Sequence, residues 1–235
     1  MVVAQAGARQ SVWDVPTRLF HWSIVILLGF SWWCAKSDHM EWHYKSGLTL
    51  CALVLFRIVW GFAGSSTARF GRFVRGPSAV WGYLRSDSAV AQPEPPGHNP
   101  LGHNPLGHNP LGGWSVLLLL GLMTLQILTG LFAVDLDGLE SGPLSYLVDF
   151  DRGRIAAQIH EVTFNVLLGA SAIHVLAIGF YLVVKHRNLI GAMIWGYRRG
   201  DGGGEAMAPA PTWRLVVAIA VALAITYALS TGLRF

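Results

Sequence analysis

The apolar stretch IAAQIHEVTFNVLLGASAIHVLAIGFYLVV, residues 155–184, decides the fold class of this chain. Glu161 is the only charged residue in it. A helix needs about 20 mainly apolar residues to cross the ~30 Å hydrocarbon core of a bilayer, and this stretch exceeds that length. Because the backbone in lipid must satisfy its own hydrogen bonds, the stretch is predicted to be a transmembrane helix.

The rest of the chain also has the composition of a membrane protein. Hydrophobic residues make up 53% of it and charged residues 13%, whereas a soluble domain has about 25% charged residues. Further apolar runs of spanning length cover residues 16–35, 43–63, 114–134 and 213–233. We predict an all-α membrane protein: a four-helix transmembrane bundle in residues 16–197, a Gly- and Pro-rich linker at 198–212, and one additional C-terminal transmembrane helix.

The distribution of lysine and arginine predicts the orientation of these spans. With residues 1–15 in the cytoplasm, eleven Lys and Arg residues lie in the inner segments and five in the outer segments. This bias follows the positive-inside rule, so we expect the N-terminus inside and the C-terminus outside. The net charge of +4 follows from this topology, and no nucleic-acid-binding surface is needed to explain it.

Two histidines of the longest span are placed to serve two separate sites. Ionisable residues inside a membrane are costly and usually functional. His160 and His174 lie fourteen residues apart, which is nearly four whole helical turns, so both point to one face of the helix. Their separation along the helix axis is about 21 Å. This arrangement suits two cofactors, one near each side of the membrane.

His21 and His43 are predicted to lie at the matching depths. The first span enters from the inside, so His21, at its start, shares the inner depth of His174. The second span enters from the outside, so His43, at its start, shares the outer depth of His160. The predicted pairs are therefore His43 with His160 on the outer side and His21 with His174 on the inner side.

Paired imidazoles of this kind are typical ligands of haem iron. No C-x-x-C-H motif occurs in the sequence, so covalently attached c-type haem is not indicated. A single intramembrane histidine is as often an interhelical hydrogen-bonding group, but four histidines that pair by depth favour two haems. Ligation by two histidines leaves no open position on the iron, which suits electron transfer.

Two arginines are candidate haem-binding residues. Arg57 lies fourteen residues after His43, on the same face of the second span and at the depth of the inner pair. A buried arginine needs an anionic partner, and a haem propionate would supply one. Arg18, three residues before His21, could serve in the same way. The alternative for Arg57 is that its side chain extends to the cytoplasmic headgroups.

A tandem repeat, HNPLGHNPLGHNPLG, occupies residues 98–112 and contains three further histidines. Histidine-rich tracts can bind metal. Asn-Pro and Leu-Gly steps also favour turns, however, and the last copy leads directly into the third span. We favour the interpretation as a duplicated turn.

Several motifs occur together and in order along residues 12–197. They are VWDVPTRLFHW at 12–22, EWHYKSG at 41–47, RIVWGFAG at 57–64, GHNPLGG at 107–113, IHEV at 159–162, IHVLAI at 173–178 and LIGAMI at 189–194. As a set they resemble the bacterial cytochrome b561 family, whose superfamily includes the b-type cytochrome subunits of nickel–iron hydrogenases. The chain departs from the family pattern in its threefold HNPLG repeat and in its fifth span.

The resemblance implies a four-helix core in the bacterial inner membrane with two b haems. Its ligand positions fall on the same four residues, His21, His43, His160 and His174. It further implies electron transfer between membrane quinone and a redox partner at the outer, periplasmic face, either a cytochrome c or a dehydrogenase subunit. The lipid bilayer is the other expected partner.

Two alternatives remain open at this point. The chain could be a haem-binding membrane anchor or sensor subunit without sustained redox turnover. It could also act alone as a quinol oxidase that reduces a small oxidant, but no further candidate group for such a site is visible. No motif for hydride, acyl or phosphoryl transfer occurs, so any catalysis would be redox chemistry at haem or quinone.

Overall fold

The computed structural model describes residues 9–85, 110–136, 140–199 and 207–234. Within these ranges the helices are α1 Val15–Lys36, α2 Met40–Ala63, α3 Phe70–Phe73, α4 Pro77–Arg85, α5 Pro110–Phe132, α6 Phe150–Val183, α7 Leu189–Trp195 and α8 Thr212–Ser230. A short 3₁₀ helix, Ser145–Leu147, precedes α6. Two strands, β1 Arg9–Ser11 and β2 Tyr197–Arg199, pair antiparallel. The HNPLG repeat lies outside the described residues except for its last three positions, which begin α5.

Five helices, α1, α2, α5, α6 and α8, are long and apolar enough to cross a membrane. The chain is a mostly helical multi-pass membrane protein, as the sequence predicts. Three of these helices begin three or more residues before their predicted apolar runs, α2 at Met40, α5 at Pro110 and α6 at Phe150. For α6 the reason is the carboxylate of Asp149, which accepts a hydrogen bond from the backbone N–H of Arg152 at 2.8 Å and caps the first turn.

The spanning helices form two antiparallel hairpins and one added helix. Helix α1 packs on α2, α5 packs on α6, and α2 also packs on α5 and α8. Helix α2 is therefore the central one. In its most apolar stretch 44% of the residues are buried inside the protein, against 6% for α6. Helix α8 runs antiparallel to α2, since Ala208 bonds to Ser66 beyond the end of α2 while Ser230 accepts from Tyr44 near its start.

The middle of the bundle is apolar. Leu50 and Val54 of α2, Met123 of α5 and Leu167 of α6 form one buried cluster, against which residues of α1 also pack. Leu167 lies midway between His160 and His174 along α6. The cluster thus divides the bundle into two ends. We call them the His160 end, which also holds His43, and the His174 end.

The start of α1 is fixed at the His174 end by a single carboxylate. Asp14 accepts a hydrogen bond from the backbone N–H of Thr17 at 2.8 Å, which caps the helix, and Pro16 occupies the first turn. The second oxygen of Asp14 accepts from the indole N–H of Trp60 at 2.9 Å. Asp14 therefore ties the start of α1 to the last turn of α2.

The two strands close the same end of the bundle and were not predicted. Gln10 of β1 lies opposite Arg198 of β2, so β2 falls at the start of the segment predicted as a linker. Gly196 links α7 to β2 with φ +81, a left-handed conformation that favours glycine. Strand pairs this short carry too little alternating pattern to be recognised in a sequence.

Candidate cofactor sites at the two histidine pairs

The structure brings His43 and His160 together. Their ring centroids lie 6.1 Å apart, and the ring planes are inclined at 87°. His43 is in the first turn of α2 and His160 is in α6, so the two rings come from different hairpins. Both side chains are half-buried.

Both rings of this pair are held by a backbone carbonyl of the neighbouring helix. His43 Nδ1 lies 2.9 Å from the carbonyl oxygen of Ser31 in α1, and His160 Nδ1 lies 2.8 Å from that of Gln126 in α5. A carbonyl oxygen only accepts, so Nδ1 carries the proton and donates in each ring. The lone pair is then on Nε2, the form in which histidine binds metals.

His21 and His174 lie at the other end of the bundle, within range of each other's charge. His21 Nδ1 is buried and has no hydrogen-bond partner within the described ranges, so no acceptor there fixes its tautomer. The indole of Trp22 stands edge-on to the His21 ring at 5.1 Å, and its N–H donates to the carbonyl of Met193 in α7.

Arg57 lies buried in α2 toward the His174 end, with 4% of its surface exposed. Its guanidinium carbon lies 5.0 Å from the ring centroid of Phe70, and its charge interacts with the carboxylate of Asp14. One terminal nitrogen of Arg57 is buried and has no hydrogen-bond partner among the residues that the structure describes. The side chain therefore ends inside the protein and does not reach the surface.

Arg18 has a visible structural contact at the same end. Its guanidinium donates to the carbonyl of Ile194 in the last turn of α7 at 2.6 Å. This contact stabilises a helix C-terminus, where cations are favoured. The Nε of Arg18 is buried and has no hydrogen-bond partner in the described part of the chain, so the side chain can still donate one more hydrogen bond.

Buried polar atoms that lack partners are concentrated near the predicted sites. They include His21 Nδ1, Arg18 Nε, the Arg57 terminal nitrogen and Gln126 Oε1. Buried polar groups usually have partners in native proteins. The residues present therefore fit a cofactor that accepts hydrogen bonds at the His174 end. Within the described ranges no group of three or more His, Cys, Asp or Glu could hold a bare metal ion.

A family model for prokaryotic cytochrome b561 matches residues 12–196. The chain belongs to this family, which confirms the resemblance seen in its motifs. Membership implies that the protein binds b-type haem and transfers electrons across the membrane. No match was found among curated proteins, and none among solved structures. The match ends at 196, so α8 lies outside it.

The residues that hold the rings were not predicted from the sequence. Gln126 acts through its backbone carbonyl, which every residue type carries, so no sequence signal could have found it. Ser31 acts through its backbone carbonyl and also through its hydroxyl, which lies 3.1 Å from His43 Nδ1. Gly130 also lies against the His160 ring. An isolated glycine inside a helical pattern often has a packing reason, and that was the one available signal.

Proposed function

We propose that the chain binds two b haems, one between His43 and His160 and one between His21 and His174. The observation that supports this most directly is the hydrogen bonding of the first pair. Both Nδ1 atoms donate to backbone carbonyls at 2.9 and 2.8 Å, so both Nε2 lone pairs are available. With ring centroids 6.1 Å apart, one metal atom can be shared, since imidazole–metal bonds are about 2 Å long.

Haem supplies one-electron chemistry at these positions. If both histidines of a pair held the haem iron, neither site would offer a place for oxygen or another small oxidant. This supports electron transfer over a quinol oxidase that acts alone. The protein holds the rings, excludes water from the apolar middle layer of Leu50, Val54, Met123 and Leu167, and keeps the two sites apart.

At the His174 end, Arg57 is proposed to bind a haem propionate. A cation with 4% of its surface exposed is costly unless an anion is near, and Asp14 already accepts hydrogen bonds from Thr17 and Trp60. The buried Nε of Arg18 is a second donor for the same group. The contact of Arg18 with Ile194 keeps its guanidinium at this end.

The orientation proposed from the charge bias places the His174 end at the cytoplasmic side of the bacterial inner membrane and the His160 end at the periplasmic side. Quinone or quinol would then exchange electrons at the His174 end. A cavity of about 530 Å³ there is lined by Asp14, Arg18, Trp60 and Trp195, among other residues. The partner at the periplasmic face is proposed to be a cytochrome c or a dehydrogenase subunit.

Transport of electrons across a bilayer tests this function. Purified protein would be reconstituted in vesicles that contain cytochrome c, with a soluble quinol added outside. We expect quinol to reduce the enclosed cytochrome c with wild-type protein and with His39→Ala, whose exposed histidine is outside both pairs. His160→Ala and His174→Ala should each lose most of this activity.

A haem-binding anchor or sensor subunit is the second candidate. It would bind both haems, yet quinol would fail to reduce the enclosed cytochrome c even though a strong chemical reductant reduces the haems. That combination would reject the electron-transfer proposal and retain haem binding.

A further inference from the structure

Gly130 of α5 lies directly against the imidazole of His160. A Cβ added at Gly130 would come within 2.9 Å of Cε1 and 3.1 Å of Nδ1 of that ring. Cβ contacts shorter than 3.0 Å are essentially never seen in proteins, so the ring would have to move. The absence of a side chain at Gly130 is what lets His160 lie this close to α5.

Gly130 lies in a helix, where glycine is unfavourable, so its presence there calls for a packing reason. It lies within α5, two residues before the helix ends at Phe132. Glycine is a poor helix former because its backbone loses the most freedom on ordering. Gly121 of the same helix has nothing within 4 Å of an added Cβ. The two glycines therefore share a helix and differ in whether a ring occupies the adjacent space.

Thr129 contributes a second contact to the same ring. Its hydroxyl lies 3.3 Å from His160 Nδ1 and donates to the carbonyl of Leu125 at 2.9 Å. With its proton used in this way, the hydroxyl oxygen can accept from Nδ1–H. The principal acceptor is the carbonyl of Gln126, at 2.8 Å, so Nδ1–H lies between two acceptors on one turn of α5.

We propose that Thr129 and Gly130 are positioning residues for His160. Gly130 sets the orientation of the ring, and Thr129 strengthens the hydrogen bonding that holds the proton on Nδ1. The inference rests on the proposed haem binding by His43 and His160. Hydrogen bonds to the far nitrogen of a ligating imidazole raise its basicity. A more basic ligand favours ferric over ferrous iron, so Thr129 lowers the reduction potential of the haem at the His160 end.

Matched variants of α5 separate this role from general packing. Gly130→Ala and Gly130→Val would be compared with Gly121→Ala and Gly121→Val, which add the same groups in open space. Thr129→Val removes the hydroxyl and keeps the shape, and Thr129→Ser keeps the hydroxyl. Thr124→Val is the control, since Thr124 donates to the carbonyl of Leu120 in the same helix and contacts none of the described histidines.

The readouts are haem content, the low-spin electron paramagnetic resonance signal and the midpoint potential of each haem. The haem at the His160 end is assigned as the one that His43→Ala removes. We expect Gly130→Ala to shift its resonance signal and Gly130→Val to remove that haem, with the other haem unchanged. Thr129→Val should raise its midpoint potential, Thr129→Ser should restore it, and the variants of Gly121 and Thr124 should match the wild type.

An unchanged signal and potential in both Gly130→Ala and Thr129→Val would overturn the inference while haem binding stands. Equal effects at the Gly121 and Thr124 controls would overturn it as well. Wild-type protein without haem would instead reject the proposed function, and the inference with it.

Discussion

His43 and His160 face each other from different hairpins of the bundle, with ring centroids 6.1 Å apart and ring planes at 87°. Each ring is held inside its own hairpin, His43 by the carbonyl of Ser31 and His160 by that of Gln126. The contact between the two rings is thus also a contact between the two halves of the protein. A cofactor bound by both rings would join these halves.

This arrangement predicts that haem stabilises the folded bundle. A ligand that binds only the folded state raises its stability by mass action. We expect His160→Ala to lower the unfolding temperature of haem-loaded protein in detergent, measured by circular dichroism, and the exposed-site control His39→Ala to leave it unchanged. After haem extraction the gap between wild type and His160→Ala should largely close. Equal unfolding temperatures for the loaded proteins would contradict this account.

The buried guanidinium of Arg57 leads us to expect an anion, the haem propionate, at the His174 end. If its buried guanidinium binds a propionate, Arg57→Leu should weaken haem binding there by about 10- to 100-fold, the usual effect of removing a group that supports a metal site. Arg57→Lys keeps the charge and should retain part of the affinity. Haem titration into haem-depleted protein measures this.

The matched control for Arg57 is Arg154→Leu. Arg154 donates to the carbonyl of Val134 at 2.9 Å and lies near the other end of the bundle. It should leave affinity at the His174 end unaltered. Wild-type affinity in Arg57→Leu would instead show that Arg57 has no haem-binding role.

Two variants of Asp14 can separate the effect of its negative charge on stability from the effect of its helix-capping hydrogen bond. Asp14→Ala removes the cap of α1 and the acceptor of the Trp60 N–H, so we expect a loss of about 1 kcal/mol from the cap alone. Asn is as good a cap as Asp, so Asp14→Asn should keep most of this stability. Denaturant unfolding in detergent measures both variants. Equal losses for Asn and Ala would show that the carboxylate charge, through its interaction with Arg57, matters more than the cap.

The spans and the approach of His43 to His160 could be predicted because both follow from helix geometry. Fourteen residues are nearly four turns, so His160 and His174 share a face wherever the helix begins. Antiparallel connections then set which end of the bundle His21 and His43 occupy. These relations need only the order of the spans, and errors of a few residues in helix bounds leave them unchanged.

The surroundings of the rings could not be predicted, because they depend on packing between helices. The nearest acceptors of His43 and His160 are the backbone carbonyls of Ser31 and Gln126, and a carbonyl carries no information about residue type. The hydroxyl of Ser31, 3.1 Å from His43 Nδ1, is the one side-chain contact of these two residues with the rings. The contact of Arg18 with Ile194 depends on how α7 folds back on α1. The sequence places Arg18 near His21 but does not predict where α7 packs.

Each histidine pair is proposed to hold one haem, and the decisive measurement is a count of haems. A reduced-minus-oxidised spectrum with haem quantitation would be recorded on detergent-purified wild type, His160→Ala, His174→Ala and the control His39→Ala. We expect two low-spin b haems in the wild type and the control, and about one in each of the other variants. Full haem content in both His160→Ala and His174→Ala, or no haem in the wild type, would contradict it.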